Sequence, residues 1–216
     1  MSTSNHGPGV GSVAATQPDG GPPDLPTDCA QRLRAALGAL SPDLQRAAGA
    51  ARSRRLAAGQ VLLAPGQVWD RLWIVTDGAL RLYHLDRRGR TATKNFFLPG
   101  ALLWPVTPGL QRQPSAFCVE AVTPCEVWQL DWAGWSAAAA PDPHWQALQL
   151  RTLTALLEDK MERERQFLHC DATERWRLLQ ERHADWVQAL PLRHLASWLG
   201  ITDVALSRIR RRLNPG

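Results

Sequence analysis

The stretch that most constrains this chain lies at its C-terminal end, from Leu192 to Leu213, where two short apolar periodicities meet at a glycine. Leu192, Leu195 and Leu199 share one helical face at the i, i+3, i+7 spacing. Gly200 stands where that helix must stop, because glycine takes a left-handed C-terminal conformation without steric cost. Thr202 then offers a hydroxyl to an orphan N–H of a second helix, whose inner face carries Leu206, Ile209 and Leu213. Stepping about 100° per residue from Leu206, Val204, Arg208 and Arg211 point away from that face, with Ser207 and Arg212 flanking them. Ala196 is the small residue where the two helices cross. Between Asp203 and Leu213, Arg208, Arg210, Arg211 and Arg212 stand against Asp203 alone, so 4 − 1 = +3. A short helix pair with a tight turn and a basic outer face suits insertion into a DNA major groove.

A chain of 216 residues has room for two small domains. Its net charge of +5 and pI near 9.6 suit a polyanionic partner. The four cysteines, Cys29, Cys118, Cys125 and Cys170, form no C-x-x-C pair and crowd no small loop-rich segment. That points to reduced thiols and a cytoplasmic home. His84, His144, His169, His183 and His194 are scattered, none at ligand spacing with a second His or a carboxylate, so no metal and no cofactor is expected. No catalytic constellation stands out, and the expected class is not an enzyme. Neither a secretory leader nor an apolar run of membrane-spanning length is present in the sequence.

Along the chain, residues 1–27 are rich in Gly, Pro, Ser and Thr and read as a disordered leader. Leu33, Leu37 and Leu40 suggest a short amphipathic helix. A second opens at Ser41-Pro42-Asp43, with Ser as N-cap and Pro in the first turn. From Arg54 to about Asp131 the period becomes alternating, with runs at 61–63, 72–75, 80–83, 96–98, 116–119 and 127–130 separated by turn signals such as A-P-G, T-D-G and L-P-G. Such punctuation predicts an antiparallel sandwich or small barrel. From Trp145 to Leu168 neither Pro nor Gly interrupts a leucine-bearing helix, within which Asp159 and Arg163 can pair at i, i+4. That helix is longer than a small domain needs. Leu153, Leu156 and Leu157 are therefore expected to lie between two subunits. The expected divisions are a leader (1–27), a barrel with flanking helices (28–142), a dimerisation helix (143–170) and a helix-turn-helix domain (171–216).

Barrel, long helix and terminal helix-turn-helix, in that order, resemble the cyclic-AMP receptor/fumarate-nitrate regulator family of bacterial transcription factors. The residues that carry the resemblance are G-Q-V-L-L-A-P-G-Q (59–67), L-W-I-V-T-D-G-A-L-R-L-Y (72–83), F-L-P-G (97–100), V-E-A-V-T-P-C-E-V (119–127) and the helix-turn-helix. The resemblance implies an α+β protein. Its antiparallel β-barrel, a jelly roll of the cyclic-nucleotide-binding type, is joined by a long dimerisation helix to an all-α helix-turn-helix domain. It implies a homodimer that binds double-stranded DNA and works with RNA polymerase. Thr202, Asp203, Val204, Ser207, Arg208, Arg211 and Arg212 would face the DNA.

The sequence departs from the family at the ligand cradle. Cyclic-nucleotide binders of the family hold the ribose with a Glu and the phosphate with a downstream Arg. Aligned on Gly100 and on V-E-A (119–121), the glycine position is Trp104, the Glu position is Pro105 and the Arg position is Ser115, with Arg112 three residues out of register. Proline has no N–H to donate and serine no charge. Gly100, Trp104, Pro105, Arg112 and Ser115 thus outline a degenerate effector pocket. Cyclic AMP is disfavoured and the effector is unknown. Asp203 and Val204 also replace the Arg and Glu that family members place in the first turn of the recognition helix, so the operator differs. Two other readings stand beside this one. One is a haem or redox sensor of the same architecture using Cys118 or Cys125 with His84. The other is an interaction module whose helix-turn-helix meets protein.

Overall fold

The computed structural model describes residues 25–86 and 89–213. The expected leader lies outside the described residues except for 25–27, which already belong to the first helix. Two helices, α1 (Leu25–Leu37) and α2 (Pro42–Gly49), precede eight strands. These are β1 (Arg52–Leu56), β2 (Val61–Leu63), β3 (Arg71–Asp77), β4 (Leu80–Leu85), β5 (Thr91–Phe97), β6 (Leu102–Leu103), β7 (Phe117–Ala121) and β8 (Cys125–Asp131), with α3 (Pro108–Arg112) inserted before β7. Helices follow: α4 (Trp132–Ala139), α5 (Pro143–His169), α6 (Ala172–Arg182), α7 (Ala184–Ala189), α8 (Leu192–Leu199) and α9 (Asp203–Leu213). The Ser41 Oγ accepts from the Leu44 N–H at 3.4 Å, the cap that the Ser-Pro-Asp signal predicts.

The strands form two four-stranded antiparallel sheets, ordered β1-β8-β3-β6 and β2-β7-β4-β5. They face each other as a sandwich. The run at 72–75 shows why it is apolar throughout. Trp73 and Val75 point between the sheets to meet Leu56, Leu80, Val119 and Val127. Leu72 and Ile74 point outward, under a helical cover that includes Leu33, Leu44, Trp132, Trp135 and Trp145. Both faces of β3 are covered, so it shows no polar alternation. Two strands and three helices, α3, α4 and α7, escape the sequence pattern. β1 reads R-S-R-R-L and buries only Leu56, β6 has two residues, and α4 and α7 are short.

The other sheet is covered outside by the C-terminal helices. Ala79, Phe96 and Val122 share one core with Trp176, Leu179, Trp186, Leu195, Trp198, Leu199, Leu206 and Ile209. The helix-turn-helix domain therefore packs directly on the sheet, and α5 carries the chain to it. At 27 residues, α5 spans about 40 Å.

Gly200 fixes how that domain meets α5. Its φ is 71°, and a Cβ there would lie 2.7 Å from Cε1 of Phe167 on α5. Left-handed backbone and close approach both demand glycine. Gly200→Ala should cost about 2 kcal/mol or more, read as a fall in the urea midpoint. An unchanged midpoint would show that the Phe167 contact is not held in solution.

Candidate nucleic-acid interface

The helix-turn-helix is built as its sequence pattern requires. The N–H of Gly200 donates to the α8 carbonyls and that of Ile201 to Ala196 O at 3.0 Å, which closes the first helix. The Ala205 N–H donates to Thr202 Oγ1 at 3.2 Å and opens the second. The Thr202 hydroxyl hydrogen stays available to an outside acceptor. Leu206 and Ile209 are buried against α8, while Val204, Ser207, Arg208, Arg211 and Arg212 are exposed together on the opposite side. Asp203 accepts from the Val204 N–H at 2.9 Å, so its carboxylate caps the helix as well as facing solvent. Arg210 differs from its neighbours: its guanidinium lies 5.9 Å from the centroid of Trp176 on α6. It braces the domain, and the basic outer face consists of Arg208, Arg211 and Arg212.

What holds this domain against the sandwich is the edge of β5. An edge strand presents unpaired N–H and C=O groups, and here α8 and α5 pair them. The Thr93 N–H and Oγ1 both reach Ser197 Oγ, at 3.2 and 3.0 Å, and Ser197 donates to Thr91 O at 3.1 Å. Arg163 of α5 donates to Thr93 O at 2.8 Å, to Lys94 O at 3.0 Å and to Trp198 O at 2.8 Å. Its guanidinium also lies over Trp198 and Phe167, 4.9 and 5.4 Å from their centroids. Burial brings the Arg163 pKa down to about 10, so it stays charged at neutral pH. The i, i+4 pairing with Asp159 does not form because Arg163 turns to these carbonyls. Ser197 did not stand out in sequence, and Arg163 did so only as a partner for Asp159, since nothing local marks the partner of a strand edge.

The five cradle residues are either engaged within the protein or exposed. Trp104 is buried against Trp145, with centroids 5.2 Å apart, and Pro105 is buried with its carbonyl accepting from Gln111 Nε2 at 3.0 Å. Ser115 is 3% exposed and serves a turn, its N–H bonded to Gln67 O at 2.8 Å and its Oγ to the Phe117 N–H at 3.0 Å. Gly100 sits in an exposed turn at φ 95°, and Arg112 is exposed at the end of α3. A cavity of about 860 Å³ does exist, but it lies between β5, β6, α3, α5 and the helical domain. Of the five cradle residues only Trp104 lines it.

Residues 53–140 match the cyclic nucleotide-binding domain family. The whole architecture matches solved structures. FixK2 from Bradyrhizobium japonicum is 19% identical, with 76% of this chain and 85% of that one covered, at a TM-score of 0.65. CooA from Carboxydothermus hydrogenoformans, solved as a mutant, is 16% identical, with 85% and 84% covered, at 0.63. The global regulator CLP from Xanthomonas campestris, described as c-di-GMP responsive, is 16% identical, with 88% and 92% covered, at 0.62. The fold is that of the Crp/Fnr regulators. No curated protein matches the sequence.

Within this Crp/Fnr fold the long helix divides its residues between two faces. Leu150, Leu153, Leu157, Met161 and Leu168 form one exposed stripe, each between 41% and 71% exposed. Leu156 is turned away from it and lines the cavity. The thiols proposed for redox sensing are poor nucleophiles. Burial raises the Cys118 pKa, and burial with the Asp77 and Glu126 charges pushes Cys125 up to about 12. His84 packs on Phe117 at 4.3 Å between centroids. No helix among the described residues is long and apolar enough to cross a membrane.

His194 ties the docked domain to pH. It is 5% exposed, and its Nε2 accepts from Arg193 Nε at 3.2 Å, a role open only to the neutral ring. Burial first, then Arg81 on β4 and Arg193, hold its pKa at about 4, while Glu120 on β7 pulls the other way. Arg81 and Tyr83 in turn bind Glu120, at 3.3 and 2.8 Å. The folded pKa lies below the unfolded value of about 6.5, so the unfolded chain binds the extra proton between them. Stability is full above pH 6.5 and falls as pH drops towards 4. Between pH 7.5 and pH 5 the histidine should account for roughly 2 kcal/mol of loss. In parallel denaturant titrations, His194→Gln should lose less stability than wild type over that range. Equal losses would remove His194 from the account.

Proposed function

We propose that this chain is a homodimeric, cytoplasmic, sequence-specific DNA-binding transcription regulator with no catalytic activity, whose effector is not cyclic AMP. The observation that carries the reading is the free outer face of α9. The domain is docked on the sandwich through α8, and Thr202, Val204, Ser207, Arg208, Arg211 and Arg212 remain on the side turned to solvent. Docking and reading use different faces of the helix pair. The Crp/Fnr fold supports the same function by analogy.

Cyclic AMP is disfavoured on steric and electrostatic grounds. Trp104 and Pro105, which hold the family's glycine and glutamate positions, are buried, and Ser115 offers a phosphate no charge. The exposed stripe Leu150, Leu153, Leu157, Met161 and Leu168 supports a second copy as the partner of α5. An apolar stripe of this length on a helix of a water-borne domain calls for burial, and an identical stripe related by a two-fold axis supplies it.

Arg208 and Arg211 have different tasks in this reading. Arg208 sits in the second turn of α9, where a guanidinium fork can take O6 and N7 of one guanine. Arg211 lies a turn later, where the helix leaves the groove, and meets phosphate. Arg208→Ala should cost about 1–3 kcal/mol on the cognate duplex and relax preference at one base pair per half-site. Arg211→Ala should weaken all duplexes alike and lower the slope of log K against log salt by about 1 per half-site. Binding of both variants to cognate, single-base-changed and random duplexes over a salt series checks this. Equal losses for Arg208→Ala on every sequence would assign it to the backbone, and no salt-dependent duplex binding by wild type would sink the proposal.

A further inference from the structure

The cavity beside β5 is made jointly by the sandwich, α5 and the helical domain. Its volume of about 860 Å³ falls within the range that holds a small organic molecule. Its walls include Phe96, Phe167, Trp186 and Trp198, with Phe96 edge-on to Trp186 at 5.1 Å and Trp186 edge-on to Trp198 at 5.8 Å. An apolar body would find ring faces and edges on several sides.

One polar group is delivered into this aromatic setting by a defect in the strand. On β4, Leu82 pairs with Asn95 and Tyr83 with Thr93, so Lys94 has no opposite number in the ladder. It is the extra residue of a β-bulge, a feature that re-aims side chains and recurs beside functional sites. The Lys94 ammonium has no hydrogen bond or ion pair among the described residues. Partial burial, then the charges of its neighbours Arg163 and Lys160, lower its pKa. The acids lining the cavity do not answer it. Glu162 is engaged by Arg165 at 2.8 Å, Gln166 at 2.8 Å and Arg182 at 3.2 Å. Asp159 makes no ion pair with Lys94, whose charged neighbours include no carboxylate. Glu164 is exposed. A cation thus stands among cations at the mouth of an aromatic cavity, a setting that an entering acid group would neutralise.

We propose that this cavity binds a small organic acid with an aromatic or acyl body, its apolar part against Phe96, Trp186 and Trp198 and its acid group on Lys94. Gly100, Pro105, Arg112 and Ser115 take no part, because none lines the cavity. The occupant would touch both the sandwich and the helical domain beside the carbonyls that Arg163 holds. The site rests on its own geometry and does not depend on what α9 contacts.

A matched pair of probes tests the claim without DNA. 8-Anilinonaphthalene-1-sulfonate carries an acid group, and N-phenyl-1-naphthylamine has the same rings without it. Fluorescence titration of the full-length protein should give one saturable sulfonate site per chain, at least tenfold tighter than for the neutral probe. Lys94→Met should abolish that preference and leave neutral-probe binding unchanged, while Arg151→Met, an equal charge change on α5 outside the cavity lining, should alter neither. Leu156→Trp, which adds bulk from the cavity wall, should weaken both probes. Circular dichroism melting confirms that each variant is folded. Equal affinity for the two probes, an intact preference in Lys94→Met, or no saturable sulfonate site would each overturn the proposal.

Discussion

The edge of β5 is the constraint on which the arrangement of this molecule depends. An edge strand must find partners for its backbone or invite another chain to supply them. Here Ser197 of α8 takes the Thr93 N–H and gives its own proton to Thr91 O, at 3.2 and 3.1 Å. Arg163 of α5 takes the carbonyls of Thr93 and Lys94 at 2.8 and 3.0 Å. One strand edge thereby joins sandwich, long helix and helix-turn-helix domain. A charge-assisted bond to backbone contributes more than a neutral one, and a buried guanidinium left without acceptors would be costly. Arg163 is stable where it is only because all three carbonyls face it together.

That junction divides the C-terminal helices into working faces. The side of α8 that carries Ser197 and His194 meets the sheet, and Leu206 and Ile209 lock α9 to α8. The exposed basic face of α9 is the side left over. The same geometry leaves a cavity beside the junction. The bulge that spaces the β5 carbonyls for Arg163 also turns out Lys94, so anchoring and cavity chemistry share one irregularity in one strand.

Much of this was legible in the residues. Periodic leucines, Gly200 and Thr202 define the helix pair because caps and helical faces are local features, written within a few positions of one another. The runs from 61 to 130 mark six strands for the same reason. β1 was hidden because R-S-R-R-L pairs through its backbone and buries one side chain, and α4 because alanine and tryptophan there have no clear period. The substitutions at Trp104, Pro105 and Ser115 indicated an altered cradle, but not that a cavity opens elsewhere. Leu156 looked equivalent to Leu153 and Leu157, yet one step around the helix places it on the cavity side. Ser197, Arg163 and Lys94 act across 69 to 106 positions of sequence, and no local pattern encodes that. The i, i+4 spacing of Asp159 and Arg163 pointed to a surface pair because the nearer β5 carbonyls are invisible in one dimension.

In the proposed function two copies of this chain, joined along α5, present two α9 helices to one duplex. Selection of bound duplexes from a random library by the full-length protein, followed by sequencing, tests dimerisation and sequence reading together. The expected result is enrichment of a two-fold symmetric motif whose half-sites lie one helical turn, ~34 Å, apart. Enrichment of a single unpaired half-site would contradict the dimer, and recovery of no motif at all would contradict sequence-specific DNA binding itself.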